Sequence, residues 1–279
     1  MYGRSTASLY FTPAGGAAPV VYFKLGGFPH PLRIKMPRKP PVSRPRIAVI
    51  MPVFNAAAYL PQAIESVLAQ AGPAFELLAA DDRSTDGSFE ILRRYSRDPR
   101  VRIFRNRRNK GSGATRNFLL RHARADYVTP CDADDLLLPR NLSRLCSVLD
   151  EESEIGMAYG DILAIEIHRG RMLDFPQIVA KDHTRSWDLI EDTVNHGGCM
   201  MRRALALTVG GYDEGAGSLD DKSLWLKMSE ITRYRYLAGE IYYVWRRHSK
   251  GQTRTDKKVP ETMWRLVSEA GERRLRKQR

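Results

Sequence analysis

Ile47 to Val53 reads Ile-Ala-Val-Ile-Met-Pro-Val, an apolar run of the kind that is buried on both faces of a parallel sheet. From Ala57 to Gln70 the period changes: Leu60, Ile64, Val67 and Leu68 recur at helical intervals. The alternation then repeats. Phe75 to Ala80 predicts a second strand, Asp86 to Tyr95 a helix, Val101 to Phe104 a third strand, Gly113 to Ala123 a helix, and the residues around Tyr127 a fourth strand. A βαβαβαβ series of this kind predicts an α/β fold, a Rossmann-like, mostly parallel sheet with right-handed crossovers flanked by helices.

The second half is less regular. Strands are predicted at Gly156 to Ile167, Arg171 to Phe175 and Gly198 to Arg202, with a pair of strands in Tyr234 to Trp245. Helices are predicted at Leu136 to Asp150, Leu219 to Ile231 and Val259 to Lys277, the last amphipathic.

In an open parallel sheet, ligands bind beyond the carboxyl ends of the strands. The unusual polar residues of the first half cluster there. Phe54-Asn55 follows the first strand, Asp81-Asp82-Arg83-Ser84-Thr85-Asp86-Gly87-Ser88 the second, and Cys131-Asp132-Ala133-Asp134-Asp135 the fourth. Carboxylates crowded as in Asp132 to Asp135 repel one another unless solvent or a cation compensates. Hard oxygen donors suit Mg²⁺ or Mn²⁺, which commonly combine one or two carboxylates with substrate phosphates. The same letters also fit an acidic loop that caps the following helix through Asp135. Both readings stay open on the residues alone.

The chain has 279 residues and carries 45 Lys and Arg against 32 Asp and Glu, a formal charge of +13. Eight of those cations precede Ile47, where there is no acid, and the stretch from Arg33 to Arg46 is rich in proline. Residues 1–45 are expected to form a basic, disordered arm, 46–250 the main α/β domain, and 251–279 a basic helix or tail. Met36, just ahead of the patterned part, is an alternative expected start. No apolar run is long enough to cross a bilayer, and the first residues lack the order of a secretory signal. The three cysteines have no zinc spacing. The expectation is a cytoplasmic protein with free thiols and peripheral contact with anionic lipid at the inner membrane face. A nucleic-acid partner is not expected.

Four ordered motifs carry a specific resemblance. Val49 to Leu60, Ala80 to Ser88, Asn109-Lys110-Gly111 with Ala114-Thr115-Arg116-Asn117, and Asp132 to Asp135 resemble the signature of family 2 glycosyltransferases of the GT-A fold. Gly210-Gly211-Tyr212-Asp213-Glu214 and Asp220-Asp221 with Leu224-Trp225 resemble that family's acceptor-side segments, with Asp220 where Glu is usual. The resemblance implies an inverting, metal-dependent transfer from a nucleotide-diphosphate sugar, with a UDP-sugar favoured, to a saccharide or lipid-linked acceptor in surface polysaccharide or glycolipid synthesis.

Carried over by motif, Pro52, Phe54 and Asn55 line the donor site with Phe54 stacked on the nucleobase, and Asp82 bonds the edge of that base. Arg116 helps place the nucleotide, Asp132 faces the ribose, and Asp134 holds Mn²⁺ or Mg²⁺, with His248 of the Arg246 to Ser249 stretch as a second ligand. Asp221 is the general base. His196 is a candidate for the acceptor pocket. Two rivals from other classes are a sugar nucleotidyltransferase, which would carry a Gly-rich phosphate loop after the first strand, and a non-catalytic module that binds nucleic acid or membrane through its basic ends.

Overall fold

The computed structural model describes residues 8–11, 21–24, 44–168, 171–172, 177–179, 182, 194, 196–249, 251, 256 and 258–277. Strands β1 (Ser8–Phe11) and β2 (Val21–Lys24) pair antiparallel with Ser8 opposite Lys24. The arm expected to be wholly disordered thus carries a two-stranded ribbon, in two segments rich in the aromatic and β-branched residues that favour strands. The proline-rich expectation for residues 33–43 lies outside the described residues.

The main body follows the alternation read from the sequence. In chain order it runs β3 (Ile47–Val53), α1 (Leu60–Leu68), β4 (Phe75–Asp81), α2 (Ser88–Arg94), β5 (Val101–Arg105), α3 (Ser112–His122) and β6 (Tyr127–Pro130). It continues with β7 (Leu136–Leu137), α4 (Asn141–Glu151), β8 (Ile155–His168), β9 (Arg171–Met172) and β10 (Gln177–Val179). The last elements are β11 (Cys199–Arg202), α5 (Arg203–Thr208), α6 (Asp220–Met228), β12 (Arg233–Arg247) and α7 (Val259–Lys277).

One sheet runs in the order β5-β4-β3-β6-β11-β8-β12-β7, with β9 and β10 pairing on β8. Strands β5, β4, β3 and β6 are parallel, whereas β11 is antiparallel to both β6 and β8. The sheet is therefore mixed, with its parallel half at the amino-terminal end of the chain.

The period of two, with both faces covered, explains why β3 is apolar throughout and why Leu77 to Ala80 of β4 are apolar without a break. Ile47, Val49, Met51 and Val53 join one core cluster with α1 and α4, while Ala48 and Ile50 join the other with α3, α6 and α7. Phe75, Leu77 and Ala79 of β4 divide from Leu78 and Ala80 in the same way. Both faces are covered, so only the strand ends open to solvent.

Two elements differ from the reading of the sequence. The helix expected over Leu136 to Asp150 starts only at Asn141, because Leu136 and Leu137 pair antiparallel with Val244 and Tyr243 of β12. Pro139 disfavours helix at Leu138, and Arg140 enters α4 with φ of 71°, so Asp135 cannot cap that helix. The pair of strands expected in Tyr234 to Trp245 is one strand, β12, running parallel to β8 on both sides of an irregularity between Leu237 and Ile241. Gly239, at φ of 75°, takes up the irregularity and donates its N–H to the Asp161 carboxylate at 3.0 Å.

Candidate active site

The loops that follow β3 and β4 are tied to each other. Asn55, at φ of 50°, donates its N–H to Ser84 Oγ at 3.0 Å and accepts the Thr85 N–H at 2.9 Å. Asp86 accepts the Ala57 N–H at 2.9 Å and the Ser88 hydroxyl at 2.6 Å. Pro52 is half-buried at the end of β3, and next along the chain Phe54 stands out of this frame with 51% of its surface exposed, a ring with room for a planar partner.

Asp82 does something other than the sequence suggested. It is buried, and its carboxylate accepts Asn106 Nδ2 at 2.7 Å, the Lys110 N–H at 2.9 Å and the Gly111 N–H at 2.8 Å. Those bonds hold the 106–111 loop and the start of α3, a structural part that the sequence reading did not give this residue.

Arg116 is the hub. Buried on α3, it donates through Nη2 to Asp132 Oδ1 at 2.5 Å and through Nη1 to both oxygens of Asp220, at 2.6 and 2.5 Å. Burial alone would raise the Asp132 carboxyl, but the adjacent Arg116 outweighs it and the net shift is downward. Asp220, almost fully enclosed, is raised by burial despite Arg116. Asp221 follows it at the first turn of α6, with the Lys222 N–H at 2.7 Å. Burial, and then the neighbouring Asp220, push the Asp221 carboxyl up to about 7.

Asn117, to which the sequence reading gave no role, works beside Arg116. Its side chain accepts the Tyr212 N–H at 2.8 Å and donates to Tyr212 O at 2.9 Å and Glu214 Oε1 at 3.1 Å. A Cβ at Gly211, where φ is 73°, would lie 2.2 Å from Asn117 Oδ1. The Ala-x-Arg-Asn stretch therefore anchors both acceptor-side motifs, Asp220 through arginine and the Gly-Tyr-Asp-Glu loop through asparagine.

The acidic pentapeptide is held from β12. Tyr243 Oη accepts the Asp132 N–H at 3.0 Å and donates to Asp135 Oδ2 at 2.8 Å. The Arg246 N–H donates to Asp135 Oδ1 at 2.8 Å, and its guanidinium bonds the Asp134 carbonyl and Gln62 Oε1. Asp135 is thus a buried anchor, not a helix cap. Asp134 and His248 meet, Oδ2 to Nε2 at 2.9 Å, and the imidazole stacks on Tyr59 with centroids 4.7 Å apart. Tyr243 carries no recognisable local signal, since its partners lie more than a hundred positions away.

His196 lies by Asp132 and Arg116, between Tyr212 and Trp225, with ring centroids 6.0 and 5.8 Å away. Burial and Arg116 depress it to about 3, so it is neutral at pH 7. Trp225 is fully buried in the core. Cys131, Cys146 and Cys199 are free and buried.

One carboxylate pair, Asp134 with its histidine and Asp221 with its raised affinity for a proton, therefore flanks an arginine-centred bridge on a rim that also bears an exposed aromatic ring. The residues from 48 to 209 match the profile described as Glycosyl transferase family 2. The chain belongs to that family. Among relatives of this glycosyltransferase is EpsE of Bacillus subtilis (strain 168), whose name assigns it glycosyl transfer, 30% identical over 72% of this chain and 73% of its own. The fold is that of S. aureus TarS residues 1–349 in complex with UDP-GlcNAc, at a TM-score of 0.67 and 21% identity over 81% of this chain and 66% of that one. A mannosyltransferase from Pyrobaculum calidifontis in complex with GDP-Man and Mn²⁺ superposes at a TM-score of 0.58 and 19% identity, covering 82% of this chain and 70% of that one. These likenesses establish the GT-A arrangement of the sheet. Asp220 and Asp221 lie beyond the matched residues of the profile.

Proposed function

We propose that this glycosyltransferase moves a sugar from a nucleotide-diphosphate donor, UDP-linked by preference, to an acceptor hydroxyl with inversion, in the synthesis of a surface polysaccharide or glycolipid. The observation that carries the reading is the Arg116 bridge, which sets the donor-side acid Asp132 and the acceptor-side pair Asp220-Asp221 in one frame. An inverting transfer needs a carboxylate able to take the acceptor proton, and a general base works best when its pKa is near the working pH. Asp221, at about 7, meets that requirement.

The donor would lie along the ends of β3, β4 and β6, with Phe54 against the base and Pro52 and Asn55 shaping the pocket wall. Asp82 supports that wall through the 106–111 loop, and Asp132 faces the ribose while Arg116 fixes its direction. Asp134 and His248 form a carboxylate and imidazole pair that suits Mn²⁺, with Mg²⁺ an oxygen-preferring substitute. Among the described residues no cluster of three ligating side chains is preformed, which fits a site completed by the diphosphate oxygens of the donor. A bound divalent ion would neutralise charge on the departing diphosphate, so that no side chain need act as general acid.

The name of one relative supports the placement in surface carbohydrate assembly: TuaG of Bacillus subtilis (strain 168), named for teichuronic acid biosynthesis, is 34% identical over 39% of this chain and 44% of its own. No helix among the described residues is long and apolar enough to cross a membrane. A thermal-shift series with UDP- and GDP-sugars, with and without Mn²⁺, tests the reading: a nucleotide-selective shift that needs the metal supports it, and indifference to every sugar nucleotide contradicts it.

A further inference from the structure

Helix α7 lies outside the residues matched by the family profile, yet it packs on α6, the helix that begins with Asp220-Asp221, and on the loop that leads into it. At the far end of α6, Arg273 pairs with Glu230 at 2.8 Å, and the buried Arg274 donates to Ser229 Oγ at 3.2 Å. Between them Leu266 and Ala270 are buried in the same core cluster as Leu224, Trp225 and Leu226. At the near end, Arg265 pairs with Asp213 at 2.8 Å. Asp256, ahead of the helix, accepts both the N–H and the hydroxyl of Ser218 at 2.9 Å. The fit is close, since a Cβ on Gly217, whose φ is 58°, would come within 2.5 Å of Asp256 Oδ2.

Those ties reach the acid pair through short links. The Asp213 N–H donates to Ser223 Oγ at 2.9 Å, and that hydroxyl donates to Asp220 O at 2.5 Å. Asp213 O also lies against α3, 2.8 Å from where a Cβ on Gly113 would stand. The 211–220 loop is thus gripped by Asn117 and Arg116 on one side and by Arg265 and Asp256 on the other. Within the segment expected to form a basic helix or tail, Arg265 and Arg273 are thus in ion pairs with the body of the protein.

We propose that α7 and the residue ahead of it brace the base helix, with Arg265 and Asp256 as positioning residues that hold Asp221 against Asp220 and away from water. This rests on the reading of Asp221 as the base, but the structural part of the claim does not need turnover to be tested. The groups that face Asp221 are Asp220 on its own helix, Arg116 from α3, Asp132 from the loop after β6, Cys199 from β11 and Tyr212 from the braced loop. None of them is Arg265 or Asp256. Loss of the Arg265 charge alone would raise Asp221, whereas loss of the brace would admit water and separate the two acids, lowering it.

The sign therefore discriminates at Arg265; loss of the Asp256 carboxylate lowers Asp221 by charge as well as by loosening, so at that contact Ser218→Ala, which keeps the charge, separates the two. In protein labelled with ¹³C at the aspartate carboxyl carbons, with the Asp221 signal assigned by its absence in Asp221→Asn, wild type should titrate near 7. Arg265→Ala and Asp256→Ala should bind the Asp221 proton about tenfold or more weakly, and Arg276→Ala should match wild type. Donor hydrolysis of UDP-GlcNAc and GDP-mannose, measured with Mn²⁺ on the same samples, should show kcat reduced about tenfold in the two brace variants with KM within twofold. Arg265→Lys and Ser218→Ala serve where either alanine variant does not fold. An Asp221 titration unmoved or raised in folded brace variants overturns the brace. A lowered titration with no turnover of either donor by wild type keeps the brace and counts against the proposed reaction.

Discussion

Arg116 Nη1 reaches both carboxylate oxygens of Asp220, at 2.6 and 2.5 Å, across 104 positions of chain. The contact joins the parallel half of the sheet, which carries the nucleotide-side loops, to the mixed half, which carries the acceptor side. Both partners are buried, so the pair is screened little by solvent.

Arg116→Ala should be strongly destabilising, because it leaves Asp132 and Asp220 without their shared cation. Removal of one partner of a buried pair costs about 3–5 kcal/mol. Urea unfolding at pH 7.5 measures this, and Asp220→Asn in the Arg116→Ala background should recover part of the loss.

Asp221 makes stability depend on pH in a stated direction. Its folded value of about 7 lies above that of an unfolded aspartate, so its contribution is complete in acid and lost as pH rises through 7. Asp221→Asn should therefore be more stable than wild type at pH 8, by about 2 kcal/mol after allowance for its partial exposure, and show little gain at pH 4. Paired denaturation curves at the two pH values check the sign.

Tyr243→Phe removes the hydroxyl that serves both the Asp132 N–H and Asp135. Leaving buried polar groups without a partner costs about 1–3 kcal/mol, and the acidic loop should loosen with it. Calorimetric unfolding reads the first effect, and weaker binding of nucleotide diphosphate the second.

Asp134→Ala should abolish the Mn²⁺ enhancement of UDP or GDP binding, while His248→Ala should weaken it by about tenfold. Titration calorimetry with and without EDTA distinguishes them. Affinity measured without metal should be nearly unchanged in both.

Much of the fold could be read from periodicity. In β3 every position faces a covered layer, so its apolar run was unbroken, and α1 showed its buried residues Leu60, Ile64, Val67 and Leu68 at helical spacing. Leu136 and Leu137 were misread because two apolar residues have no period, and only their pairing with β12 makes them a strand. Ordered motifs named Arg116 with Asp132, and Asp134 with His248, and the structure brings each of these pairs into contact. The site was not legible where contacts are distant: Tyr243 under the acidic loop, Asn117 on the Tyr212 backbone, and Arg265 on Asp213 have no mark in their neighbours. Asp82 was located by motif, but the donors that occupy its carboxylate come from another loop.

The central claim is that Asp221 takes the proton of the acceptor. Its most direct test is a comparison of Asp221→Asn with wild type in Mn²⁺-supported transfer, alongside the affinity of each for the nucleotide sugar. The account predicts a loss of kcat of about 10² to 10⁴ with donor affinity nearly intact, and in wild type an acid limb of the pH profile near 7. Wild-type turnover by Asp221→Asn would contradict it.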